Sequence, residues 1–205
     1  MPFPPHNSPP AEAHPSTAGS ETSEYSRPER AILLKLAHAS IEAAVEGREF
    51  RLEAPSAHLA EPRGAFTTIY LRGELRGCVG YVFPMAPLFR AVAETARAAA
   101  FDDSRFLPVS RDEATLLDIS LSVLSPLKPI EAAQVEIGRH GLMVSMDGHR
   151  GLLLPQVPIE HGWDRVTFLE QTCRKAGLPV DAWKMGATLE AFTAEVFGED
   201  EAAPG

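Results

Sequence analysis

The chain has only two cysteines, Cys78 and Cys173, far apart and with no Cys-x-x-Cys spacing. That scarcity excludes a disulfide framework and suits a reducing compartment. Basic residues are also few: 19 Lys and Arg stand against 28 Asp and Glu, a formal charge of -9, with no basic run. A nucleic-acid groove binder needs a surplus of cations on at least one face, so no nucleic-acid partner is expected. One or two arginines remain enough to hold a small anionic ligand. No stretch approaches the roughly 20 apolar residues that span a bilayer. Residues 1–25 show no basic start followed by an apolar run, so no secretory signal is read there. The expectation is a cytoplasmic protein without a membrane partner.

What is present fits one folded domain. The chain has 205 residues, 44% hydrophobic and 23% charged, which is enough for a substantial core and too few to demand two domains. Residues 1–25 are rich in Pro, Ser, His and Glu and nearly free of large aliphatics, the composition of a disordered tail. Residues 26–198 read as the folded domain, and 199–205 as an acidic flexible C-terminus.

Helix signals come first at Ser26-Arg-Pro-Glu29, which has capping-box spacing, with Gly47 placed as the stop. Residues 65–71 and 75–82 read as strands of a hairpin turning at Arg72-Gly73-Glu74. A helix over about 86–100 puts Leu88, Val92, Ala96 and Ala99 on one face. Residues 118–124 alternate as a half-buried antiparallel strand. Asp147-Gly148 marks a type I′ turn between strands at 142–146 and 149–154. A helix over 164–176 is expected to bury Val166, Leu169, Cys173 and Ala176, with Gly177 as its stop, and a final strand runs over about 189–197. Hairpins mixed with helices, without regular strand-helix alternation, predict an α+β fold with a largely antiparallel sheet.

The stretch Leu71-Arg-Gly-Glu-Leu-Arg-Gly-Cys-Val-Gly80 is the least ordinary. In an extended strand Arg76 and Cys78 share a face, while Gly77 and Gly80 let other backbone or a ligand approach closely. An arginine beside a thiol stabilises the thiolate, the nucleophilic form; the structural alternative is a small buried cysteine among glycines that shape a bulge. Gly138-Arg-His-Gly141 places His140 in a turn before a strand, where an imidazole can exchange protons near neutral pH. A Cys78–His140 pair would be the minimal activated thiol. Arg105, between Asp103 and Phe106, either binds a carboxylate or phosphate or ties its loop to Asp103. Gln156 offers a polar contact or caps a strand end. Cys78, His140, His149, Glu160 and His161 have suitable chemistry for a metal but not zinc-site spacing, so neither metal nor cofactor is expected. Cys173, Trp163 and Trp183 are read as core.

The same segments resemble the AMMECR domain family, whose prokaryotic form is known as AmmeMemoRadiSam system protein A. Leu75-Arg-Gly-Cys-Val-Gly80 is similar to the family hallmark, with Val79 where isoleucine is common. Ala100-Phe-Asp-Asp-Ser-Arg-Phe106 resembles its Asp-Pro-Arg-Phe segment, with Ser104 in place of proline. Gly138-Arg-His-Gly-Leu142, Gly151-Leu-Leu-Leu-Pro-Gln-Val157 and Lys175-Ala-Gly-Leu178 follow in family order. The resemblance covers nearly all of 26–198. It implies an α+β domain with a larger and a smaller lobe and a cleft between them, and Memo-like and radical S-adenosylmethionine proteins as partners. By motif position it puts Cys78, Arg76, Gly77, Gly80, Arg105, His140 and Gln156 at the cleft. Two functions follow: a Cys-dependent enzyme on a small anionic substrate, with Cys78 and His140 catalytic and Arg76, Gly77, Gly80, Arg105 and Gln156 binding substrate, or a non-catalytic module that binds a protein or peptide.

Overall fold

The computed structural model describes residues 23–199. Helix α1 spans Arg27–Val45. The Glu29 carboxylate accepts the Ser26 N–H at 2.9 Å and the Ser26 hydroxyl at 2.7 Å, and Gly47 ends the helix at φ 68°, the left-handed conformation that glycine adopts without strain. Leu33, Leu34, Ala37 and Ile41 point inward. Strands β1 (Ala65–Leu71) and β2 (Glu74–Tyr81) form the first hairpin. Arg72 and Gly73 both take positive φ, the type I′ pattern.

Helix α2 (Leu88–Phe101) packs on α1 and on both hairpin strands. Leu88, Val92, Ala96 and Ala99 are buried as its periodicity predicts. Thr95 is also fully buried and meets Thr67 of β1 at 2.8 Å, so each hydroxyl is satisfied inside the core. A four-residue helix, α3 (Arg111–Ala114), precedes β3 (Leu117–Leu124).

The chain then leaves this first sheet. Strand β4 (Lys128–Pro129), β5 (Gly141–Met146) and β6 (His149–Leu153) belong to a second antiparallel sheet, β5 and β6 being joined by the predicted type I′ turn at Asp147-Gly148. Helices α4 (Val157–Glu160) and α5 (Arg165–Lys175) follow. Asp164 caps α5 by accepting the Thr167 N–H at 2.8 Å. Leu169, Cys173 and Ala176 are buried as expected, but Val166 is 44% exposed, and Phe168 and Thr172 share the inner face. The buried stripe therefore extends to the Phe168–Thr172 side of the expected one and leaves Val166 out.

The expected final strand is two strands. Strand β7 (Thr188–Phe192) joins the second sheet and β8 (Ala194–Gly198) returns to the first. The strand orders are β2-β1-β3-β8 and β4-β7-β5-β6. Thr193 is the crossing point, and no local pattern marks it because both halves alternate as a single strand would. The second lobe is thus inserted between β3 and β8, which are neighbours in the first sheet. Each lobe has its own core: one gathers α1, α2, β1 and β3, the other α5, β5 and β7.

Ser23–Tyr25, counted with the N-terminal tail on composition, pack on the domain. Tyr25 is 1% exposed, and Glu195 of β8 accepts from the Ser23 hydroxyl, the Glu24 N–H and the Tyr25 N–H. At the other end Glu199 contacts His38. The rest of both predicted tails, 1–22 and 200–205, lies outside the described residues. Among the described residues no helix is long and apolar enough to cross a membrane.

Candidate functional site

The hairpin β1–β2 decides where Cys78 goes. On β1, Ala65, Thr67 and Ile69 face α2, and Phe66, Thr68 and Tyr70 face the other way. Cys78 pairs with Thr68, and Thr68 in turn with Ser120 of β3. Cys78, Thr68 and Ser120 therefore form one cross-strand row on the face that carries no helix of this lobe, and all three are half-buried. The Thr68 hydroxyl donates to the Cys78 Sγ at 3.3 Å.

The two glycines beside Cys78 serve the protein itself. A Cβ at Gly77 would stand 2.1 Å from the Ala99 carbonyl oxygen, so this residue lets α2 lie against the strand. A Cβ at Gly80 would stand 2.1 Å from the Phe66 ring, which is laid across it from β1. The space that glycine opens in the motif is thus filled by backbone and an aromatic ring.

Arg76 departs from the expected arrangement. The pairing register shifts between Ile69 and Tyr70, so Tyr70 faces Leu75 and Arg76 is the extra residue, a bulge of the kind that re-aims a side chain. Its guanidinium binds the Glu113 carboxylate at 3.2 Å and the Leu107 carbonyl at 2.7 Å. This arginine holds the Glu113 carboxyl down at about 2. Arg76 ties the α2–β3 connection to the strand.

Arg105 is held in a bidentate pair by Asp103, at 3.0 and 2.7 Å. Asp103 also accepts the Cys78 N–H at 2.9 Å, which satisfies the free edge of β2. Arg105 is the first cause of the low Asp103 pKa, about 2. Of the two readings of Arg105, the tie to Asp103 is the one formed. Tyr70 stands near this group: burial raises its phenol pKa, and Cys78 and Asp118 push it the same way. Thr68, Tyr70 and Ser120 were not singled out from sequence, and Asp103 was named only as the partner of Arg105. For Asp103 the signal was its place two residues before Arg105. The others needed the strand register.

His140 and Gln156 belong to the second lobe. The His140 Nδ1 accepts the Glu136 N–H at 3.0 Å, and the His140 N–H donates to the Glu136 carbonyl, so the side chain closes the turn before β5. Cys78 lies on β2 of the first sheet, and His140 in the turn just before β5 of the second. Gln156 is exposed at the start of α4, and its backbone carbonyl, not its side chain, caps the helix. Gly138 of the His140 motif lies against Ile159 of α4, two residues beyond the end of the Gln156 motif. Cys173 is buried in the second core, and burial pushes its thiol pKa up, as the core reading requires.

Beyond Cys78 the same face of the first sheet continues toward the second lobe. The next row is Gly80, Phe66 and Ser122. At or just past the ends of these strands stand Val82, Gly64 and Leu124, where the Leu124 N–H reaches the Gly64 carbonyl at 2.9 Å. These three residues line a cavity of about 140 Å³, closed from the second sheet by Leu152 and Phe192. Phe192 is placed there by Gly141, where a Cβ would stand 2.1 Å from its ring. Among the described residues no group of three or more His, Cys, Asp or Glu is positioned to hold a metal.

The whole described domain recurs in known proteins. The AMMECR1 family model matches residues 34–197. A protein of Methanopyrus kandleri is 42% identical over 183 residues, covering 83% of this chain and 88% of its own. One from Aquifex aeolicus is 39% identical over 179 residues, covering 82% and 92%. The crystal structure of an uncharacterised protein from Pyrococcus horikoshii superposes with a TM-score of 0.63 at 39% identity, over 82% of this chain and 90% of that one. With the family motifs in order on one α+β scaffold, this chain belongs to the AMMECR1 family.

Proposed function

We propose that this chain is a protein-binding module that lays an extended peptide segment of a partner on the helix-free face of its first sheet, with the Cys78 thiol in the floor. The observation that carries this reading is the half-buried row Cys78, Thr68 and Ser120. A thiol and two hydroxyls offer hydrogen bonds to a passing backbone without demanding a charged ligand. Arg76 and Arg105 each already hold a carboxylate, and Gly77 and Gly80 are filled by the protein, so the motif reads as a built, rigid surface. Memo-like and radical S-adenosylmethionine proteins, the partners implied by the family resemblance, are the first sources of such a segment to try.

The test is peptide-display selection on the wild-type protein, repeated on Thr68→Arg and Ser120→Arg variants whose thermal unfolding shows them folded. Enriched peptides should lose about tenfold or more in affinity when a guanidinium occupies the floor, the equivalent of about 1.4 kcal/mol. Equal affinity for wild type and both variants would end this reading.

One observation favours a second reading, a Cys-dependent enzyme acting on a small anion: the Asp103 carboxylate that holds the Arg105 guanidinium also accepts the Cys78 N–H, which brings a cation to the cysteine motif. The two readings separate by charge. Iodoacetate alkylating Cys78 faster than neutral iodoacetamide, with the preference lost in Arg105→Ala, supports the enzyme. A preference for the neutral reagent supports the module.

A further inference from the structure

We infer that the cavity between the two lobes binds a small uncharged molecule, with an apolar body about the size of a benzene ring and one acceptor oxygen held between Arg63 and Tyr25. The inference does not rest on the peptide floor.

The cavity fixes the body of the ligand. It measures about 140 Å³, with apolar walls from Val82, Leu124 and Leu127 on one side and from Leu152 and Phe192 on the other. An apolar cavity of about 150 Å³ accepts a benzene ring.

Two orphaned polar atoms fix the head of the ligand. Arg63 also lines the cavity. Its Nε–H and the Tyr25 hydroxyl are buried, and among the described residues neither has a hydrogen-bond partner. The two groups are neighbours: burial pushes the Tyr25 phenol pKa up, and the Arg63 guanidinium acts against that rise. Tyr25 is itself fully buried, with its ring stacked on His58 at 5.0 Å, so its position is set by packing. A buried donor left unpaired costs about 1 to 3 kcal/mol. Both atoms carry a hydrogen, and one oxygen atom with two lone pairs accepts from both.

Charge decides which kind of oxygen. The Arg63 Nη2 donates to Glu24 at 2.9 Å and to Glu61 at 2.8 Å, and its Nη1 to the Pro62 carbonyl at 3.1 Å. Two carboxylates already outweigh the one cation, so a third carboxylate is repelled. What Arg63 has left to offer is a single N–H, which suits a carbonyl, ether or hydroxyl oxygen.

The experiment uses the full chain with isotope-labelled arginine. Binding is measured by ligand-observed NMR and by the Arg63 Nε–H resonance, assigned through its loss in Arg63→Lys. Benzamide carries both parts of the ligand, toluene only the body, acetamide only the acceptor, and benzoate the acceptor with a charge. Benzamide should move the resonance with a dissociation constant on the order of 1 mM, the range open to a molecule of this size. Toluene and acetamide should each bind about fivefold more weakly or worse, and benzoate no better than toluene. Tyr25→Phe keeps the ring and drops the hydroxyl. It should weaken benzamide about three- to tenfold and leave toluene unchanged. Leu152→Trp and Leu127→Trp fill the cavity from two walls, and each should abolish benzamide binding. If thermal unfolding shows either Trp variant unfolded, the Tyr25→Phe comparison decides.

A resonance that no probe moves overturns the site and leaves an ordered water as all that the two groups hold. Benzoate binding more tightly than benzamide overturns the uncharged class. Equal benzamide affinity in wild type and Tyr25→Phe overturns the place of the oxygen. Binding that survives in folded Trp variants lies elsewhere and also sinks the proposal. So does binding seen only after residues 1–22 are removed, which makes the chain's own segment the occupant.

Discussion

Ser125 and Thr193 hold each other at the place where the chain passes between the two sheets. The Ser125 N–H donates to the Thr193 carbonyl at 2.9 Å, and the Thr193 N–H donates to the Ser125 hydroxyl at 3.0 Å. Ser125 follows β3 and Thr193 precedes β8, so the outgoing and returning strands are stapled side by side. Both sheets take their relative position from this crossing, and so does the cavity that Ser125 helps line.

Replacing Ser125 by Ala removes the acceptor for the Thr193 N–H. Urea denaturation should show a loss of about 1 to 2 kcal/mol, the usual cost of leaving such a group unsatisfied. An unchanged midpoint would mean that the crossing is held by its surroundings alone.

Glycine at 77 and 80 is required for different reasons, and the two alanine variants should differ. At Gly77 the new Cβ meets the Ala99 backbone, which can only move with α2; at Gly80 it meets the Phe66 ring, which can turn. Gly77→Ala is expected to destabilise by about 2 to 3 kcal/mol or more and Gly80→Ala by less. Equal losses in thermal or urea unfolding would show that the Phe66 ring is as fixed as the helix.

Acid stability should depend on Asp103 and Glu113. Both carboxyls are held near 2 in the folded chain, against ordinary values of 3.8 and 4.5. A lowered folded value means stability that is complete above the ordinary value and lost as the pH falls through the folded one. The loss therefore falls between about pH 5 and 2. Asp103, with a side chain only 7% exposed, contributes up to about 2 kcal/mol. Arg105→Ala should move acid unfolding to higher pH and flatten the dependence in that window. A pH profile parallel to wild type would refute the pairing.

The thiols should behave oppositely under native conditions. Cys78 is half-buried on an open sheet face and Cys173 is 0% exposed in the second core. Iodoacetamide should label Cys78 and spare Cys173 until the chain unfolds. Cys173→Ser should cost about 1 to 3 kcal/mol by burying a hydroxyl. Rapid native labelling of Cys173 would overturn its place in the core.

N-terminal deletions should show a sharp boundary. A truncation ending before Ser23 keeps the contacts with Glu195, while one that also removes Tyr25 empties a fully buried aromatic site. The second should lose about 3 to 5 kcal/mol relative to the first, the range for deleting a core aromatic. Equal stability would show that Tyr25 packs without consequence.

By itself the sequence determined the elements whose signals are local. The capping residues of α1, the hairpin turn at Arg72-Gly73, the type I′ turn at Asp147-Gly148 and the alternation of β3 depend on neighbours a few positions apart, and they formed within a residue or two of expectation. The family motifs and the buried state of Cys173 were legible for the same reason. Tertiary structure alone decided the rest. On α5 Phe168 and Thr172 joined the buried stripe and Val166 left it, because packing against β5 and β6 chooses which face is buried. The last strand split at Thr193 because its two halves found different partners, and pairing across more than 60 residues leaves no local trace. Arg76 turned to Glu113 because a bulge put it out of step. Asp103 came to bridge the Arg105 guanidinium and the Cys78 N–H, and the chain placed Cys78 on the first sheet and His140 in the turn before β5 of the second.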